Sequence, residues 1–403
     1  MHGISIFVVA WKWYWPSDVI PKTVSKGRQS FFVFREGELV REGFSTGTCA
    51  AAVATAGVQM LITGQPLAAV SVFLPQGQEA VFTLEQADFI PEGVRCCVLK
   101  DGGDDPDVTH ETPICALVRW AEGPERVRIR GGQGVGRVTK AGLKVPVGEA
   151  AINPVPRQMI RENVQRILPA GKSVEITISA PYGEELAKKT LNPKLGIVGG
   201  ISILGTTGRV RPMSNEAFKE SLIPQLSVAR AAGFKSICLV PGGSGERAVR
   251  KLFNVPEDAI CQMSNWLGFM LSQAVDLGFE AVIVAGHIGK IIKVAGGIFD
   301  THSKVADARL EIMAAYAGAV GATPEVIREI LSQGTTEAAL EIVKQNGLEA
   351  LYAPLAQQAA KRAEGYVQGA LKVGIVFFDL SGNLIALDQN ANEIGRWSGW
   401  WGS

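Results

Sequence analysis

What the 403-residue sequence lacks narrows its function first. No uninterrupted apolar run reaches the roughly 18 residues that suggest a membrane span. The apolar run 4–10 has no basic segment before it and no small-residue cleavage site after it, so it does not read as a secretory leader. Six cysteines, Cys49, Cys96, Cys97, Cys115, Cys238 and Cys261, form no Cys-x-x-Cys pair and show no disulfide-like spacing. A zinc site is therefore disfavoured and a reducing compartment fits, so the chain is expected in the cytoplasm. An excess of one charge is missing too. Lys+Arg 40 against Asp+Glu 39 leaves +1, which removes the electrostatic reason for nucleic acid or an anionic membrane as main partner. The phosphate-loop pattern Gly-x-x-x-x-Gly-Lys-Ser/Thr is absent, and the glycines of 131–136 do not fit Gly-x-Gly-x-x-Gly.

What is present is glycine set beside hydroxyls and local positive charge. The stretch 192–214 runs from a Lys/Gly loop into the β-branched run 201–204, then into Gly205, Thr206, Thr207 and Gly208, followed by Arg209 and Arg211. It reads as a buried strand leaving into a loop where a ligand can approach the backbone, or as an ordinary strand-to-helix connection. Upstream, Ser45 or Thr46 is a natural N-cap for an alanine-rich helix that stops at Gly64. Unpaired N–H groups at such a helix start make an anion site in principle, with Thr46 and Thr48 beside it. Cys49 reads there as a nucleophile or as a small packing residue. The acidic stretch 100–110 holds Asp101, Asp104, Asp105, Asp107 and His110 without EF-hand spacing; a metal site, an acid–base role for His110 or Asp104, and a plain polar turn are the alternatives.

The chain divides by rhythm. Residues 1–38, with Trp11, Trp13 and Trp15, read as an extension, poorly ordered or in contact with an interface. Residues 39–172 read as an α+β domain in which Arg137, Lys140 and Arg157 flank mobile glycines or start a helix. From 173 to 318 short apolar runs at 174–179, 201–204, 236–240 and 281–285 alternate with helical segments, which implies an open, mostly parallel α/β sheet that binds ligands beyond its strand ends. The loops leaving those ends carry Gly205 to Gly208, then Gly242, Gly243 and Gly245, then His287 and Lys290, with His302 and Arg309 downstream. Residues 319–403 read as a helical segment with a terminal β-hairpin and a Trp-rich tail.

Six blocks then resemble one family in order: GFSTGTCAAAVATAG, KDGGDDPDVTH, GGQGVGRVTKAGL, AAINPVPRQMI, GEELAKKTLNPKLGIVGGISILGTTGRVRPMS and GHIGKIIKVAGGIFDTHSKVADAR. They are similar to the CbiD family, the cobalt-precorrin-5B methyltransferases of oxygen-independent cobalamin synthesis. The resemblance implies S-adenosylmethionine as methyl donor and carbon 1 of a cobalt-bound macrocycle as acceptor. Cobalt then belongs to the substrate, no protein metal site is expected, and self-association is left open. On that basis Gly205, Thr206, Thr207, Gly208, Gly242, Gly243 and Gly245 are expected near the donor. His110, Asp104, His287 and His302 are expected at the chemistry or in structural roles. Thr46, Thr48, Arg137, Lys140, Arg157, Arg209, Lys290 and Arg309 are expected at the acidic side arms of the substrate. A corrinoid carrier without catalysis and a nucleotide-phosphate enzyme are the other readings.

Overall fold

The computed structural model describes residues 31–35 and 38–401. The expectation for residues 1–38 falls largely outside them, but Phe31–Arg35 is a strand paired antiparallel with Glu38–Phe44, so this piece belongs to the fold.

The first core is built around the helix Thr46–Thr63. Ser45 caps it, its Oγ accepting the Thr48 N–H at 3.2 Å, and Gly64 ends it in the left-handed region with its N–H on Met60 O at 2.8 Å. Alanines on every side let neighbouring elements come close, and Ala50 to Ala54 have no accessible surface. This is the one helix among the described residues long and apolar enough to cross a membrane, and 78% of its window is buried inside the protein. It packs on the helix Pro154–Ile167 and on a five-stranded sheet in the order Gln86–Ile90, Gly93–Leu99, Pro113–Ala121, Ser173–Ser179, Val127–Gly131. Only the last two strands run parallel.

Two sequence expectations change here. The runs 174–179 and 201–204 do not join the parallel sheet: the first lies inside this mainly antiparallel one, and the second contributes only Gly200–Ile201, paired with Gly134–Val135. Periodicity alone cannot say which sheet receives an apolar run. The packing therefore does not break at 172, because residues up to Ile203 share the first core. Cys97 and Cys115 face each other across antiparallel strands and form a disulfide. The pair was invisible because the 18-residue separation carries no pattern until the strand register is known.

The second core surrounds a five-stranded sheet in the order Ile260–Gln262, Ser236–Val240, Ala281–His287, Lys372–Phe378, Leu384–Leu387, parallel except for the last strand. The helices Asn215–Ala231, Leu267–Asp276, Arg309–Ala319 and Tyr352–Tyr366 contribute to its larger face, and Gly243–Leu252 and Gln389–Trp397 to the other. Burial of Ile237, Leu239, Val282 and Val284 at zero exposure contributes about 1.5–3 kcal/mol each. The region after 319 is part of this core, since Lys372–Phe378 is an interior strand. The Trp-rich tail is packed as well: Trp400 is buried and Trp401 lies 3.9 Å, centroid to centroid, from Phe253. Ion pairs Lys140–Asp258 at 2.6 Å and Lys194–Glu246 at 2.9 Å tie the two cores together.

Candidate active site

Around the first core, most of the polar groups expected to meet a ligand are already engaged. The Thr46 Oγ1 accepts the Leu204 N–H at 2.9 Å, and the Thr48 hydroxyl donates to Gly208 O at 2.6 Å. Ser45 N–H and Gly47 N–H donate to Gly208 O and Leu204 O, so the helix start is closed by the loop 205–208. A β-carbon on Gly205 would lie 2.2 Å from Ser45 Oγ, and one on Gly208 would lie 2.9 Å from Thr48 Oγ1. These glycines are explained by close packing. Of the two threonines between them, Thr206 is exposed and Thr207 accepts the Arg209 N–H at 3.3 Å. Cys49 is fully buried and burial pushes its thiol up to about 12, which removes it as a nucleophile at neutral pH.

The acidic loop spends its carboxylates internally. Asp101 receives the Arg41 guanidinium, Asp104 the Arg41 N–H at 2.6 Å, Asp105 the Met213 N–H at 3.0 Å, and Asp107 the Lys100 ammonium at 2.7 Å. Lys100 is 1% exposed. Burial alone would raise the Asp107 carboxyl, but the Lys100 charge and hydrogen bonds from Lys100 and Thr109 hold it below the usual range. His110 Nδ1 accepts the Gly102 N–H at 3.0 Å, which fixes the loop. Among the described residues no group of three or more His, Cys, Asp or Glu side chains converges to hold a metal.

Several expected substrate cations are also committed. Arg157 donates to Ile152 O at 2.9 Å, and burial lowers its pKa. Arg137 donates to Gly148 O, and Lys140 pairs with Asp258. Arg209 pairs with Glu42 at 3.0 Å and lies 3.5 Å from the Phe31 ring centroid. Sequence brings arginines near glycine loops without saying what the guanidinium will touch.

The ends of the parallel strands are different. With strands numbered as the chain meets them, Ser236–Val240 first, the order is 2-1-3-4-5, so the reversal of strand order lies between Ser236–Val240 and Ala281–His287. Open α/β sheets bind ligands at this point, beyond the carboxyl ends of the strands. Here Ser236–Val240 leaves through Pro241 and Gly242 into the helix Gly243–Leu252, which has no side-chain cap. A β-carbon on Gly242 would meet nothing within 4 Å, and one on Gly243 only Arg247 Nη1 at 3.5 Å. Gly245 packs against Val240 and Pro241. A pocket of ≈ 200 Å³ opens beside them, lined by Ser244, Arg247, Lys251, His287, Asp379 and Ser381 among others. Arg247 and Lys251, one turn apart and exposed, have no ion-pair partner among the described residues.

His287 closes the third strand. Its Nδ1 accepts the Gly289 N–H at 3.2 Å, so Nε2 carries the proton and donates to Glu337 at 2.5 Å. Lys290 follows, its pKa lowered by burial and by the Lys293 charge, with Asp300 opposing. Lys293 is buried with its ammonium on Thr301 O and Ala306 O. Arg309 donates to Gly334 O and keeps a buried Nε without a partner among the described residues. His302 is exposed, its Nδ1 accepting the Lys304 N–H.

Arg247, Lys251, Asp379 and Glu337 escaped the sequence reading. Two signals for the first pair were present. The segment 243–248 reads Gly-x-Gly-x-x-Ala, the fingerprint with alanine in its last place, right after a strand and opening a helix. Arg247 and Lys251 share one face of that helix. Asp379 and Glu337 come from segments remote in sequence and needed the fold.

A doubly wound α/β sheet with an open glycine loop at its switch point is an arrangement at which proteins bind small ligands that carry a nucleoside or an anionic group. The particular relationship is given by likeness to known proteins. The family model CbiD matches residues 34–212, and the model CbiD, C-terminal domain, matches residues 300–389. The cobalt-precorrin-5B C(1)-methyltransferase of Desulfitobacterium hafniense (strain Y51) is 46% identical over 356 residues, 88% of this chain and 92% of the relative. That of Moorella thermoacetica is 45% identical over 360 residues, 89% of this chain and 98% of the relative. A crystal structure described as cobalamin biosynthesis protein (cbiD) from Archaeoglobus fulgidus is 30% identical, with TM-score 0.39, over 69% of this chain and 87% of that one. The chain belongs to the CbiD family.

Proposed function

We propose that this protein is a cobalt-precorrin-5B C(1)-methyltransferase, transferring the methyl group of S-adenosylmethionine to carbon 1 of the macrocycle to give cobalt-precorrin-6A. The observation that carries the reading is membership of the family with 46% identity over 88% of the chain to a relative of that name. In such a transfer the methyl–sulfur bond breaks with its electron pair left on sulfur, and a pair from the ring carbon makes the new carbon–carbon bond. The protein's task is to align carbon, methyl and sulfur, and alignment of this kind supplies a large share of the rate.

We assign the donor to the strand-end pocket. Support comes from the fingerprint spacing at 243–248, the open faces of Gly242 and Gly243, and the unpaired Arg247 and Lys251, which suit the donor's carboxylate. The residues present thus fit the group. Gly205, Thr207 and Gly208 are assigned to the support of the helix start, and Thr206 has no assigned contact. His287, held as one tautomer by Gly289 and Glu337, positions the loop that follows the third strand. Lys290, whose pKa is lowered by burial and by the Lys293 charge, is kept as a contact for the acidic arms of the substrate. Arg309 is kept as a second such contact, and the exposed Arg211 and His302 are added to it. The reading gives cobalt no ligand from the protein, and it places the chain in the cytoplasm on its biosynthetic role alone, because the Cys97–Cys115 disulfide removes the cysteine argument for a reducing compartment.

Calorimetric titration with S-adenosylmethionine and its demethylated product, ATP and NAD as controls, tests the donor site. Incubation with donor and cobalt-precorrin-5B should yield a macrocycle heavier by one methylene in mass spectrometry. Macrocycle binding with neither donor affinity nor methylated product overturns the reading in favour of a carrier.

A further inference from the structure

We infer that the aromatic pair Phe218 and Trp266, with Met213 beside it, is the platform on which one face of the macrocycle lies. This rests on the proposed methyl transfer and adds where the acceptor binds. The three residues lie where sequence blocks far apart in the chain converge. Met213 N–H donates to Asp105 at 3.0 Å, which ties the loop 204–214 to the acidic loop. Just beyond, in the first turn of the helix Asn215–Ala231, Phe218 packs against Trp266 with ring centroids 5.1 Å apart and planes tilted by 55°. Trp266 in turn forms an antiparallel bridge with Asp300, and Thr301 N–H donates to Asn265 O at 2.8 Å. The segment that carries Lys290 and His302 is thereby joined to the same line.

Apolar surface is left in water here: Met213 is 62% exposed and Phe218 is 50% exposed. A flat macrocycle laid on Phe218 and Met213 would cover that surface and gain ring stacking. Positive charge stands at the edge. Arg211, its side chain 58% exposed, shares the carboxylate of Glu42 with Arg209, which is already committed to it, so the charge of Arg211 is only partly compensated. The Lys219 ammonium lies 5.7 Å from the Trp266 ring centroid and has no carboxylate partner among the described residues. Cations around an apolar bed match a planar ring bearing acetate and propionate arms. The backbone adds an independent mark. Met213 at φ 50 and Ser264 at φ 52 hold left-handed conformations that non-glycine residues adopt at a cost of about 1–3 kcal/mol, and such strain clusters at ligand sites. Met213 belongs to this platform and Ser264 lies two residues before Trp266.

The test titrates cobalt-precorrin-5B into wild type, Met213→Glu and Phe218→Ala, with Phe89→Glu on the edge strand Gln86–Ile90 as control. Binding is read by quenching of tryptophan fluorescence, turnover by KM and kcat, donor affinity by calorimetry and folding by thermal melting. The expected result is a rise of about tenfold or more in macrocycle Kd and KM for the first two variants, with donor Kd within about twofold and the control unchanged. If Phe218→Ala fails to fold, Met213→Glu carries the test, because that side chain is mostly in solvent. Macrocycle Kd and KM within about twofold of wild type overturn the platform and leave the methyltransferase reading standing. A wild type that binds the macrocycle but transfers no methyl overturns that reading, while the variants' binding still decides the platform.

Discussion

In the loop 205–208 a β-carbon on the first glycine would lie 2.2 Å from Ser45 Oγ, whereas in the loop 242–245 one on the first glycine would meet nothing within 4 Å. Both loops follow an apolar run, but the first leads into the short strand Arg209–Val210 and the second opens the helix Gly243–Leu252. One is glycine because another part of the protein already occupies the space; the other has its space open to a ligand. The same contrast extends to charge. Near the first loop, carboxylates and cations are paired within the fold, as with Arg41–Asp101 and Arg209–Glu42, and near the second Arg247 and Lys251 remain without partners among the described residues. A glycine loop therefore marks a binding site only where the neighbouring backbone donors and side chains have not been used.

The largest expected effect breaks the closed side of this comparison. Gly205→Ala combines a clash with Ser45 and a φ of +136, and we expect a loss of about 3 kcal/mol or more in urea unfolding. Gly243→Val should instead stay within about 1 kcal/mol of wild type while S-adenosylmethionine affinity in calorimetry falls by about tenfold or more. Equal stability loss in both variants would erase the distinction.

Next comes Lys100→Met, which leaves Asp107 without its cation and should cost about 3 kcal/mol. Lys100→Met combined with Asp107→Asn should recover part of that loss, because no buried charge is then left uncompensated. The pair also sets a pH dependence. Because the folded carboxyl of Asp107 lies below its unfolded value of about 4, its contribution is complete above that pH and is lost as pH falls through the folded pKa. Unfolding free energy followed from pH 7 downward should therefore decline in acid for wild type and decline less for Lys100→Met. A parallel decline in both would remove Asp107 from the account.

The open side gives a smaller effect. Arg247→Glu with Lys251→Glu should weaken donor binding by about tenfold, equivalent to about 1.4 kcal/mol, without moving the melting temperature. Wild-type affinity should also fall with added salt, since both cations are exposed. Salt-independent binding that survives the double substitution would place the donor elsewhere.

The places of Gly242–Gly245 and of His287 and Lys290 at the ends of parallel strands were legible in the sequence, because an apolar run followed by glycine reads the same in isolation as in the fold, whereas Gly205–Gly208 lie off that sheet. The assignment of 174–179 to the parallel sheet was not. A short buried run is compatible with either sheet, and only the register with Pro113–Ala121 decides it. Glu337 and Asp379 were equally hidden, since the packing of the helix Thr336–Gln345 and the pairing of the strand Lys372–Phe378, rather than spacing, bring them to His287 and the pocket. The roles of Thr46, Arg157 and Arg209 turned on what lay opposite them: the backbone of 204, the carbonyl of Ile152 and the carboxylate of Glu42.

The position of Lys372–Phe378 inside the second sheet has a consequence during synthesis. Its neighbour Ala281–His287 leaves the ribosome well before it, separated by the helices from Arg309–Ala319 to Tyr352–Tyr366. At about 5–20 residues per second that interval lasts on the order of 4–20 s. During it the first core has all its strands, while the second presents an unpaired apolar edge at the very strand that ends in His287. The nascent chain is thus most prone to mispairing while that edge waits for Lys372–Phe378, and the loop after Ala281–His287 takes its final place only once that strand has been made.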